Sequence, residues 1–151
     1  MPGFYFEELT VGQVFKHTIR RTVTETDNVL FSALTHNPAP LHIDKEYMRK
    51  SEFGEPLMNS FFTLGLIVGI SINDITLGTT VANLGLEEAK FPHPLFVGDT
   101  VHVETEVVAK RESRSRPTNG IVTFEHRGFN HRDVLVASCR RNVLMLRKPE
   151  T

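Results

Sequence analysis

The densest chemistry in this chain lies in Leu34-Thr35-His36-Asn37-Pro38-Ala39-Pro40-Leu41-His42-Ile43-Asp44. Pro38 and Pro40 each lock one backbone angle and restrict the residue before them, so few paths are open to the segment. A rigid loop can hold polar side chains in a set geometry, as catalysis requires. His42 stands between Leu41 and Ile43, which places its ring in a partly apolar space. An imidazole titrates near neutral pH and can pass a proton there. Asn37, five residues earlier, can hold a water or a carbonyl by hydrogen bonds. Two readings stay open: a water-activating pair, or a structural loop with a hydrogen-bonded histidine.

The elements around this segment follow from periodicity. Val14 to Val23 reads as a strand of weak alternation. Thr24 with acids after it is a helix start, and Val29, Leu30, Ala33 and Leu34 recur at helical spacing. Asn37 to Pro40 must end that helix. A second short helix is expected from Asp44, its cap, to Phe53, before Gly54 and Pro56 break it. Asn59 or Ser60 caps a third, running to about Asn73. That helix is apolar all round, the mark of a buried helix, and Gly65 and Gly69 give it one flat side for a sheet to approach. Strands follow at Thr79 to Leu86 (Gly85 a candidate bulge), Val101 to Lys110, Ile121 to Phe129 and Val134 to Leu146. One apolar helix and about five to six antiparallel strands predict a single α+β domain over 1–151, the sheet wrapped around the helix. Its open edge invites a second copy, so a homodimer or an oligomer built from dimers is expected.

Composition excludes several classes. With 17 Lys and Arg against 18 Asp and Glu, no broad field is available for a nucleic-acid partner. The most apolar run, Phe61 to Ile72, is too short to cross a bilayer, which needs about 20 residues. Met1 to Glu8 lacks the pattern of a signal peptide. A lone Cys139 makes no internal disulfide, and together these point to the cytoplasm. Cys139 alternates with apolar residues and reads as a buried, inert thiol. His36 and His42 lack the spacing of a zinc-binding helix and no paired cysteines occur, so no metal is expected. Arg111, Arg114 and Arg116 form a cluster that either pairs with phosphates or is a solvated strand end. Lys90 and His93 are weaker candidates for the same role.

The proline segment resembles the signature of the MaoC-like (R)-specific enoyl-CoA hydratases, roughly Gly-Asp-x-Asn-Pro-(Leu/Ile/Val)-His-x-(Asp/Glu). Pro40, Leu41, His42 and Asp44 match it. Phe53-Gly54-Glu55-Pro56-Leu57-Met58-Asn59-Ser60 resembles the family's link into its central helix. Phe91-Pro92-His93-Pro94-Leu95-Phe96-Val97-Gly98-Asp99 resembles its Phe-x-x-Pro-(Val/Leu)-Phe-x-Gly-Asp element. The resemblance covers nearly the whole chain. It implies a hot-dog fold and reversible hydration of an enoyl thioester, with coenzyme A entering as part of the substrate and no other cofactor.

The resemblance also locates departures. The family's dyad is an Asp and a His five residues apart; His42 takes the second position and Asn37 stands at the first. An amide cannot accept a proton from water, so either His42 works alone or a carboxylate helps, from Asp44, Asp27 or the substrate itself. The Asn loop resembles a subgroup associated with branched dicarboxylic thioesters such as mesaconyl-CoA or itaconyl-CoA. Ala39 replaces a family asparagine. Asn59-Ser60 replaces a His-Gly pair whose glycine N–H polarises the thioester carbonyl; Ser60 still offers an N–H, and both residues can equally be caps. Two other functions fit the same resemblance: an acyl-CoA thioesterase, disfavoured because Phe61 to Ile72 carries no acid, and a non-catalytic acyl-CoA-binding homologue.

Overall fold

The computed structural model describes residues 3–150. Strand β1 (Val14–Lys16) and the two-residue β2 (Arg21–Thr22) precede helices α1 (Glu25–Leu34), α2 (Pro40–Ile43), α3 (Lys45–Arg49) and α4 (Ser60–Ile75). Then come β3 (Thr80–Lys90), β4 (Thr100–Glu112), β5 (Asn119–Phe129) and β6 (Leu135–Leu146). The six strands form an antiparallel sheet in the order β1-β4-β5-β6-β3, with β2 also paired to β4. The α+β reading and the central helix are both found.

Alternation places the core. Val101, Val103, Thr105 and Val107 of β4 point inward, as do Val122, Phe124 and His126 of β5. Helix α4 lies against this face, burying Leu64, Ile67, Ile70 and Ile75. One apolar cluster surrounds Ile67 with Val101, Val103 and Val136; a second surrounds Ile75 with Val107, Phe124 and Met145. The close approach of helix and sheet occurs at Gly128, where an added Cβ would lie 2.5 Å from Ile67 Cγ2. Gly65 and Gly69 instead face open space, because the apolar surface of α4 that meets the sheet is the opposite one.

The strand expected over Val14 to Val23 is interrupted. His17 turns into the core at 7% exposure, where Asp74 and Thr105 hold its ring, and the ladder resumes at Arg21. Strand β3 extends beyond Leu86 to Lys90, with register shifts at Thr80/Ala82, Asn83/Gly85 and Glu87/Lys90. The Asn83/Gly85 shift is the bulge expected at Gly85. From Val81 onward β3 is exposed, and among the described residues its outer edge has no partner strand.

Candidate active site

Three segments meet at His42. Pro40 opens α2 as its first residue, where a missing N–H costs nothing, so the proline loop closes into one helical turn with His42 on it. His42 is 8% exposed, and its Nδ1 lies 2.9 Å from the Leu57 carbonyl. A carbonyl can only accept, so Nδ1 is the donor, and the lone pair of the neutral ring sits on Nε2. His42 lines a cavity of about 180 Å³ with Glu25, Asn28, Ile43, Lys45, Glu55 and others.

Asn28 organises this meeting point. Its Nδ2 donates to the carbonyls of His42 (2.9 Å) and Leu57 (3.0 Å), and its Oδ1 accepts from Asn59 N–H at 2.8 Å. The Leu57 carbonyl thus takes one bond from Asn28 and one from the His42 ring. Leu57 N–H donates to Leu41 O at 3.0 Å and Met58 N–H to Leu95 O at 2.8 Å, which fixes the entry to α4. Helical spacing marked Val29, Leu30, Ala33 and Leu34 on α1; all four are exposed, Val29, Leu30 and Leu34 at 43%, 54% and 72%, whereas Asn28 and Ser32 are buried.

Asn59 is the N-cap of α4: its Oδ1 accepts from Phe61 N–H at 3.1 Å, and its Nδ2 donates to Ser32 Oγ at 3.3 Å. Ser60 is the first helical residue, and its N–H has no acceptor among the described residues. It lines a second, more open groove of about 420 Å³ with Leu57, Met58, Thr63, Phe91 and His93 among its walls. Leu57 therefore borders this groove while its carbonyl holds His42. An N–H at a helix start is a suitable donor for oxygen charge.

The structure separates the remaining candidates. Asn37 is half-buried, and its Oδ1 accepts from Ala39 N–H at 3.1 Å, closing the turn after α1. Asp44 is exposed and caps α3, accepting from Tyr47 N–H at 2.9 Å; it does not line the His42 cavity. Asp27 pairs with Arg21 through both oxygens and caps Thr24 N–H. The Arg21 guanidinium holds its carboxyl down at about 2, so it stays ionised and engaged. Arg111 and Arg114 line a shallow depression where β4 turns into β5, with Arg116 further along that turn. Arg111 is ten residues along β4 from Val101, roughly 30 Å, so the cluster sits at the opposite end of the sheet from the His42 cavity of its own chain. Cys139 is 1% exposed, and burial pushes its thiol up to about 11.

A sheet wrapped about one apolar helix, with a histidine held by a carbonyl three residues before that helix, defines the class of the protein. A Mycobacterium tuberculosis protein described as having a double hotdog fold superposes with a TM-score of 0.87 at 24% identity, over 99% of this chain and 46% of that one, so the fold is the hot-dog fold. Residues 7–128 match the family model described as MaoC like domain, and the chain belongs to this MaoC-like family. It is 32% identical over 149 residues to a mesaconyl-CoA hydratase of Cereibacter sphaeroides, covering 99% of this chain but 43% of that protein. The chain thus spans less than half of that relative. It is 30% identical over 108 residues to an (R)-specific enoyl-CoA hydratase of Aeromonas caviae, covering 72% of this chain and 78% of that protein.

Proposed function

We propose that the chain hydrates the double bond of an enoyl-CoA thioester, or removes water in the reverse direction. The observation that carries this reading is the tautomer of His42: Nδ1–H is spent on the Leu57 carbonyl, which leaves the Nε2 lone pair of a buried ring free to take a proton. Nε2 takes a proton from water while the water oxygen adds to C3 of the substrate. The C2=C3 electron pair moves onto the thioester as an enolate, and Nε2–H then returns the proton to C2. The Ser60 N–H, without an acceptor among the described residues, receives the enolate oxygen. With its Oδ1 held by Ala39, Asn37 has only its amide N–H groups to offer that water.

A branched dicarboxylic thioester such as mesaconyl-CoA or itaconyl-CoA is the substrate class this reading favours, supported by the Asn loop and by the mesaconyl-CoA hydratase relative. A second copy completes the site. The uncovered edge of β3 and the exposure of Leu34, Phe61, Leu84 and Leu86 support a homodimer. A partner lying antiparallel would bring its own Arg111, Arg114 and Arg116 toward this chain's cavity, where they could meet coenzyme A phosphates.

The test is His42→Gln, with hydration of a panel of enoyl-CoA thioesters followed at the enoyl absorbance. Turnover is expected to fall by at least about a hundredfold with the thermal midpoint retained. Unchanged turnover would eliminate the mechanism, and release of free thiol from saturated acyl-CoA would replace it with a thioesterase.

A further inference from the structure

The MaoC-like dyad pattern has a carboxylate at the position of Asn37, and an amide there cannot do a carboxylate's work. The carboxylates near the loop are otherwise engaged. Asp44 caps α3, Asp27 is bound through both oxygens to Arg21, and Glu25 is paired with Lys45 at 3.1 Å. One carboxylate lining the His42 cavity is left: among the described residues, the Glu55 side chain makes neither a hydrogen bond nor an ion pair.

The backbone on either side of Glu55 is constrained. Gly54 adopts φ +75, a left-handed conformation that glycine takes without strain, and its N–H donates to Ser51 O at 3.2 Å. Pro56 confines the residue before it to extended conformations. Leu57, two residues on, donates to Leu41 O and accepts from the His42 ring, so the Glu55 backbone is tied to the imidazole with which it lines one cavity.

We infer that Glu55 is a further catalytic residue, the carboxylate that works with His42 in place of the missing one. This rests on the hydratase reading. One O–H of the attacking water donates to the Glu55 carboxylate, and the other proton goes to His42 Nε2. The water oxygen bonds to C3, the C2=C3 pair becomes the enolate, and the imidazolium returns its proton to C2. Glu55 stays ionised throughout. It orients the water and offsets the positive charge that appears on His42 midway, and both residues end the cycle as they began.

The experiment compares the full chain with Glu55→Gln, Asn37→Asp/Glu55→Gln and His42→Gln, on crotonyl-CoA and mesaconyl-CoA. Glu55→Gln is expected to lower kcat at least about tenfold with KM within about threefold. Because Glu55 is exposed and its side chain makes no bond among the described residues, the thermal midpoint should not move. Adding Asn37→Asp to Glu55→Gln should recover most of the lost kcat, since a carboxylate is then restored at the other end of the loop; a purely structural role would show no such rescue. If Glu55→Gln keeps the original kcat while His42→Gln is inactive, the inference fails and the hydratase reading survives. A fall in kcat that tracks a fall in thermal midpoint, without rescue, also overturns it. Absence of turnover by the unsubstituted chain on both thioesters removes the hydratase reading and this inference together.

Discussion

The Asn28 side chain makes three hydrogen bonds to two segments: the His42 carbonyl on one, and the Leu57 carbonyl and Asn59 N–H on the other. At 1% exposure no water can replace a lost partner. Asn28→Asp keeps the size but turns an acceptor, charged at neutral pH, toward two carbonyls. We expect a loss of about 2–4 kcal/mol in urea unfolding and a larger fall in kcat than in substrate affinity, because the His42 ring is held by the same carbonyl. Asn28→Ala should cost less, since it leaves partners unpaired but adds no repulsion; equal losses for the two variants would contradict this account. His42 was legible in the sequence because two prolines and a flanking aliphatic pair announce a positioned imidazole. Asn28 was not, because its importance lies in partners 14 to 31 residues away that no local pattern reveals.

Helix α4 shows where element-scale reasoning reaches its limit. Its apolar run marked it as buried, and Asn59 caps it as that residue type at that position suggests. The strand alternation of β4, β5 and β6 was equally readable. Which face of α4 meets the sheet was not, since on a helix apolar all round every face looks alike. Glycine spacing suggested Gly65 and Gly69; the contact is made by Ile67 over Gly128, a glycine on the sheet. Helix α1 carries the converse lesson, for its buried side is polar and its apolar side looks outward. Two substitutions separate the alternatives for α4. Gly128→Ala drives a methyl into Ile67, which is fully buried and has nowhere to retreat, so a loss of about 1–3 kcal/mol is expected. Gly65→Ala meets nothing within 4 Å and should add about 0.5–1 kcal/mol through helix propensity. Urea midpoints of the two variants should move in opposite directions from the unsubstituted chain.

Across the whole molecule, a polar row separates the two apolar clusters and runs the width of the sheet. Arg141 Nε donates to His126 Nε2 at 3.0 Å, so the neutral His126 ring carries its proton on Nδ1 and donates to Thr105 Oγ1 at 3.0 Å. That hydroxyl donates to His17 Nε2 at 2.9 Å, and His17 Nδ1–H ends the row on Asp74 at 2.7 Å. Every bond points from the guanidinium toward the carboxylate, so the two ends fix all the tautomers between them. At 2% exposure, desolvation draws the Arg141 guanidinium down to about 10, and its Nη2 has no partner among the described residues. His126 bears the largest consequence. Burial, and then the positive charge of Arg141, lower it from 6.5 to about 3. Unfolded, the same histidine takes up a proton as pH falls through about 6.5, whereas the folded chain refuses it until about 3. The stability this contributes is therefore complete above pH 6.5 and drains away as pH falls toward 3, at up to about 1.4 kcal/mol per unit. Urea unfolding between pH 6 and pH 4.5 should show this slope. His126→Gln, although less stable at neutral pH for want of a fitted ring, should show a slope shallower by most of that amount. Parallel stability–pH curves for the two chains would mean that His126 is protonated inside the fold, where its Nε2 could no longer accept from Arg141, and would overturn this account.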